Sequence, residues 1–166
     1  ERVGDDLATR GAGIGTHAEL FAVMRRLGIA VDGSIGVEVR ERVCLDHSGK
    51  VLLEVALPQM MTAWARIYRP LKDLLPAAQY HFGVNLERVQ EDAGGITAIF
   101  SDGSSAHGNL LVAADGIRSS VRAQVLPQAQ PRYAGYIAWR GVVDESAVSP
   151  ETHAAIFHRY AFGLPV

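Results

Sequence analysis

Apolar and polar residues alternate along much of this chain, and the pattern predicts a β-rich molecule punctuated by short helices. Val37-Glu38-Val39-Arg40 alternates as a strand with one solvated face should. Residues 35–55 read as two strands, turned at His47-Ser48-Gly49-Lys50 and returning through Val51-Leu52-Leu53-Glu54-Val55. Residues 57–65, with Met60, Met61 and Trp64, fit strand or helix. Residues 67–70 read as the end of an extended piece. Pro70 then suits the first turn of a short helix that buries Leu71, Leu74 and Leu75. Residues 84–89 and 96–100 alternate again about a turn at Asp92-Ala93-Gly94-Gly95, and Ser101-Asp102-Gly103-Ser104 is a second hairpin turn.

Leu110-Leu111-Val112-Ala113-Ala114 is different, a continuous apolar run of the kind expected for a strand buried on both faces. It breaks at Asp115-Gly116. Ile117, Val121 and Val125 follow at helical spacing, with Ser119 and Ser120 placed to cap a helix start. Strand, tight turn and helix start form a corner where open α/β sheets bind ligands, and free backbone N–H groups there suit a phosphate. An ordinary strand-to-helix turn accounts for the same residues. Residues 133–143 and 154–164 are aromatic β-forming stretches, able to wall a planar ligand or to serve as core strands.

The clearest helix follows Thr16. Thr16-x-x-Glu19 is a capping box, Leu20, Phe21, Met24 and Leu27 form the apolar stripe, and Gly28 ends it. His17 reads as a solvated helix residue. Just before this helix, Gly11-x-Gly13-x-Gly15 lacks the G-x-G-x-x-G spacing of a dinucleotide fingerprint. Its bare face admits either close approach of a flat group or a flexible connector.

Composition narrows these readings. The 166 residues are 48% hydrophobic and 20% charged, a soluble globular composition of class α/β with mixed α+β features. A formal charge of −2 argues against nucleic acid or anionic membrane as partner. The single cysteine, Cys44, excludes an internal disulfide and fits a reducing, cytoplasmic setting. The six histidines are scattered and no metal spacing is visible. The chain opens on Glu1-Arg2 without an initiator Met and is expected to be an internal segment of a longer protein.

Ala113-Ala114-Asp115-Gly116-Ile117-Arg118-Ser119-Ser120-Val121-Arg122 resembles the DG motif of the FAD-dependent aromatic hydroxylases, the p-hydroxybenzoate hydroxylase-like flavoprotein monooxygenases. The order of other features is similar too. Glu1-Arg2 resembles the acidic end of the second strand of the dinucleotide fold. Gly11-Ala12-Gly13-Ile14 resembles the strand beside the flavin, and Leu86 falls where that family passes adenine along a backbone. Residues 133–143 and 160–164 most resemble the 2,6-dihydroxypyridine hydroxylase branch.

The resemblance implies part of an FAD/NAD(P)-binding Rossmann-like domain with a β-sheet substrate domain. Residues 1–34 and 67–128 would fall on the FAD side, the latter with the DG motif. Residues 35–66 would be a substrate-domain β segment, and 129–166 the start of the main substrate sheet. It implies FAD as cofactor, NADH or NADPH as co-substrate, and hydroxylation of an electron-rich aromatic or pyridine-type ring by O2. No side chain would then be catalytic in the narrow sense, because the flavin carries the chemistry. Glu1, Arg10, Gly13, Lys72, Leu86, Asp115 and Gly116 would be cofactor-binding, with Arg10 and Lys72 equally readable as solvated charges. Tyr136, Trp139, Arg140, Tyr160 and Phe162 would line the substrate pocket. The family's N-terminal G-x-G-x-x-G segment and later Gly-Asp segment are not in these residues, so the segment alone should hold FAD weakly. A homodimer is open to such a protein. So are a flavoprotein of different outcome, such as an epoxidase or dehydrogenase, and a non-catalytic binding module on a degraded flavoprotein fold.

Overall fold

In chain order the residues form β1 (Gly13–Gly15), α1 (Ala18–Arg26), β2 (Val37–Leu45), β3 (Val51–Ala63), α2 (Trp64–Lys72), β4 (Leu86–Asp92), β5 (Gly95–Phe100), β6 (Ser105–Gly108), α3 (Ser120–Val125), α4 (Pro150–Ile156) and β7 (Arg159–Gly163). This is a computed structural model, and it describes residues 1–9, 13–139, 141 and 143–164. The mixture of helix and sheet is that of the expected class. The chain divides into two compact units. The hairpin unit comprises Leu7–Leu75 with Trp139–Val166, and the corner unit Glu1–Asp6 with Pro76–Ala138. Among the described residues no helix is long and apolar enough to cross a membrane.

The hairpin unit is built on a sheet of order β1-β3-β2-β7. β2 and β3 are antiparallel, from Val37 opposite Met61 to Leu45 opposite Val51, and β7 runs parallel to β2. The ambiguous residues 57–63 are strand because β2 and then β1 supply ladder partners along them, ending with Gly13 opposite Ala63. At Gly36 the backbone passes so close to β3 that a Cβ would stand 2.2 Å from the Met61 carbonyl oxygen. Contact, not backbone angle, requires the glycine there.

Two helix boundaries differ from the sequence expectation. Thr16 is not the cap of α1. It is 2% exposed, and its hydroxyl and its N–H both donate to the Met60 carbonyl, at 2.7 and 2.9 Å. Pairing with β3 claims Thr16, so the cap moves to His17, whose Nδ1 accepts from the Leu20 N–H. The other end is as expected. The N–H groups of Gly28 and Ile29 bond the carbonyls of Arg25 and Met24, a Schellman closure.

Residues 67–70 are helical, not extended. α2 starts at Trp64 and carries Pro70 in its last turn, where one lost N–H interrupts little. Burial decides this boundary. Ile67 packs with Met24 and Ile35, and Leu71 joins them one turn later. Each buried aliphatic side chain contributes about 2 kcal/mol, more than the propensity cost of beginning early.

In the corner unit β4 and β5 form the expected hairpin, and the third strand of the meander is β6 at Ser105–Gly108 rather than the expected residues 110–114. α3 is fastened to the edge strand β4 by one side chain. Gln124 Oε1 accepts from the Val89 N–H at 3.0 Å, and its Nε2 donates to the Glu87 carbonyl at 3.2 Å. A side-chain amide thus pairs with alternate backbone groups as a neighbouring strand would. The sequence spells one turn device repeatedly across both units. Asp32, Asp46, Asp102 and Asp144 each accept the N–H of a serine two residues on. In each case the serine's hydrogen bonds hold the aspartate carboxyl below its ordinary range.

Two predicted strands are not formed. Residues 110–114 belong to no ladder, and Leu110 and Val112 are 81% and 77% exposed. A strand buried on both faces needs neighbours at its edges and layers above and below, and the described residues provide none of these. Residues 133–139 are likewise outside any strand, with Tyr133, Tyr136, Ile137 and Trp139 exposed. High β propensity without a pairing partner does not make a strand.

Candidate functional site

The Asp115-Gly116 corner is closed by its own side chains. Gly116 has φ +80, which lets the chain reverse into the helix without strain. Its carbonyl accepts the Ser119 N–H at 3.1 Å. Asp115 Oδ2 accepts the N–H groups of Ser120 at 2.7 Å and Val121 at 3.3 Å, and Ser119 Oγ accepts that of Arg122 at 2.9 Å. The Arg122 guanidinium returns to the Ile117 carbonyl. Burial pushes the Asp115 carboxyl up. Hydrogen bonds from the Ser119 hydroxyl and from the N–H groups of Val121, Asp115 and Ser120 outweigh that, and the carboxyl lies below the ordinary aspartate range. The free N–H groups expected to receive a phosphate are therefore already engaged, and the protein's own carboxylate takes the position an anion would hold.

Beside the corner lies a cavity of about 550 Å³. It gathers three distant stretches: Glu1-Arg2, residues 84–86, and residues 111–116 with Arg118, Ser120 and Val121. Tyr80 and Phe100 complete its wall. Backbone bonds fix the first two stretches together, since Gly83 and Val84 donate to the carbonyls of Val3 and Glu1 at 3.2 and 3.1 Å. Asn85 is tied to the β5 end, its carbonyl accepting the Ser101 N–H at 2.9 Å. The lining offers carboxylates at Glu1 and Asp115, guanidinium groups at Arg2 and Arg118, and apolar surface at Val84, Leu86 and Phe100. Among the described residues neither Arg2 nor Arg118 has a carboxylate partner.

Four of the predicted cofactor-binding residues, Glu1, Leu86, Asp115 and Gly116, line this one cavity. Gly13 and Lys72 do not. Gly13 is in β1, and Lys72 ends α2 with its ammonium 5.7 Å from the Tyr68 ring centroid. Arg10 and Arg140 lie outside the described residues. Of the predicted substrate residues, Tyr160 and Phe162 meet on β7 with ring centroids 4.6 Å apart, while Tyr136 and Trp139 stand exposed. Sequence reasoning gave no role to Arg2 and Arg118, although each lies within a motif it had singled out. It missed Asn85 and Gln124 too, and nothing in the local pattern marks either.

No family model matches the chain. It is 30% identical over 165 residues to the 2,6-dihydroxypyridine 3-monooxygenase of Paenarthrobacter nicotinovorans, covering 99% of this chain and 41% of that protein. It is 44% identical over 88 residues to the FAD-dependent urate hydroxylase of Klebsiella pneumoniae, covering 52% of this chain and 23% of that protein. The solved structure of 2,6-dihydroxypyridine-3-hydroxylase from Arthrobacter nicotinovorans superimposes with TM-score 0.84 at 29% identity, over 99% of this chain and 42% of that one. The chain thus spans about two fifths of the length of a relative it matches nearly end to end.

Proposed function

We propose, for a chain that belongs with the FAD-dependent monooxygenases, its homologues at 30% and 44% identity, that the protein hydroxylates an electron-rich aromatic or N-heteroaromatic ring with NAD(P)H and O2. One observation carries this reading. Four residues chosen for a flavin from three separate stretches of sequence converge on a single cavity.

The cavity's donor set fits one end of a dinucleotide. Glu1 supplies a carboxylate able to accept ribose hydroxyls, and Leu86 with Val84 supplies an apolar edge for a base. Arg2 and Arg118 supply positive charge for a pyrophosphate. Bound there, FAD would supply the exchange of electrons with NAD(P)H and the activation of O2. The chain's own residues bind and orient. Asp115 holds the start of α3, and with it Arg118 and Ser120 in the cavity wall. In the hairpin unit Tyr160 and Phe162 offer aromatic surface to a ring. Water exclusion and support for the ring's deprotonation would be the protein's remaining part.

The test is NADH and NADPH oxidation by full-length protein, with and without 2,6-dihydroxypyridine. Strong stimulation by the ring, with incorporation of oxygen from labelled O2, is the expected result. A flavin-containing protein that oxidises NAD(P)H unchanged by a panel of hydroxylated rings, and that oxygenates none of them, overturns the reading.

A further inference from the structure

The Arg42 side chain has no part in the cavity. It lies on β2 directly beside Tyr160 of β7. Its guanidinium carbon stands 5.1 Å from the Tyr160 ring centroid and 5.5 Å from that of Phe162. One terminal nitrogen donates to Gln59 Oε1 at 3.1 Å. Its Nε is closed to solvent and has no hydrogen-bond partner among the described residues. The adjacent carboxylate, Glu41, is committed to Arg159 at 2.6 Å. Among the described residues Arg42 has no carboxylate partner of its own.

A guanidinium in this state is incompletely compensated. Aromatic faces attract a cation through their quadrupole but do not neutralise it. A closed-off donor without an acceptor carries the desolvation cost of that group, and native proteins keep few of them. Arg42 is only partly buried, so the rest of its planar fork remains within reach of a ligand. Beside it Phe162 is 38% exposed, and across the ladder Leu53 presents further apolar surface on the same face. Charge, ring surface and apolar floor coincide.

We propose that Arg42, Tyr160 and Phe162 form a subsite for a planar ring bearing negative charge. Arg42 takes the carboxylate or ring oxyanion, and the two aromatic side chains take the ring itself. This rests on the reading of the protein as a ring hydroxylase and narrows its substrate to anionic rings. Gln59 is the positioning residue, holding the guanidinium against the rings through the bond to Oε1.

Equilibrium dialysis of the full-length protein with 4-hydroxybenzoate and with its neutral counterpart 4-hydroxybenzamide tests the subsite without flavin turnover. The wild type should bind the anion about tenfold more tightly, the worth of one charge-assisted contact. R42Q should erase that preference, and R42K should keep part of it. Q59A should weaken binding of the anion while leaving that of the amide unchanged. A wild type that binds neither ring, or binds both equally, overturns the proposal even if R42Q does not fold. So does a preference that survives in R42Q. Colourless protein that still shows the Arg42-dependent preference would reject the hydroxylase reading and support the subsite.

Discussion

Residues 37–45 and residues 110–114 both read as strands, and only the first is one. The second stretch is the more apolar, yet Val43 in β2 is 1% exposed and Val112 is 77% exposed. β2 has β3 along one edge and β7 along the other. Residues 110–114 meet no ladder partner among the described residues. Apolar content states what a segment can bury. Neighbours decide whether it does. Residues 111–114 of the same stretch line the cavity, so a segment that no sheet holds is placed against the candidate site.

That contrast can be pressed by substitution in this chain. Gly36→Ala should have the largest effect, about 3 kcal/mol of lost stability for the hairpin unit, because the new methyl collides with the Met61 carbonyl and β2 must separate from β3. Urea unfolding followed by tryptophan fluorescence reads it. Val43→Ala should cost about 2 kcal/mol, for two carbons removed from a closed site and the cavity they leave. Asp115→Asn should loosen the start of α3 by about 1 kcal/mol, as loss of a capping carboxylate does, seen as reduced amide protection at Ser120 and Val121. Val112→Ala should change stability by less than about 0.5 kcal/mol. If it costs as much as Val43→Ala, residues 110–114 are packed after all, and the contrast between the two stretches fails.

Acid offers a further handle on the corner. The folded carboxyl of Asp115 titrates below its unfolded value. Its contribution is therefore complete above the unfolded aspartate pKa of about 3.9 and is lost as pH falls through the lower folded value. Protection of the Ser120 and Val121 amides in the wild type should hold down to about pH 4 and fall below it. In Asp115→Asn protection should be low throughout and lack that transition.

Much of this was legible in the sequence, for reasons that differ by element. The turn at residues 101–104, the end of α1 at Gly28 and the hairpin of β4 and β5 depend on residues close together in the chain, so local pattern reveals them. The Asp115 corner was legible in the local pattern, but Glu1 and Leu86 were legible only through resemblance, since no local pattern ties three stretches so far apart. The cap of α1 was misread because Met60, remote in sequence, claims Thr16. The start of α2 was misread because a core contact at Ile67 outweighs the warning given by Pro70. Arg42 was invisible for a third reason. It falls on the face of β2 opposite the buried Val39 and Val43, where a charged residue reads as solvated, and its partners come from β3 and β7.

We propose that the cavity lined by Glu1, Leu86 and the Asp115-Gly116 corner holds FAD in the full-length protein. The most direct test is FAD affinity, measured from the visible spectrum on titrating apoprotein of the wild type and of a Glu1→Gln, Arg118→Gln double variant. The account predicts a flavin-binding wild type and affinity weakened by about tenfold or more in the variant, as loss of charge-assisted contacts requires. A wild type that cannot be reconstituted with FAD, or a variant that binds it equally well, would contradict the account.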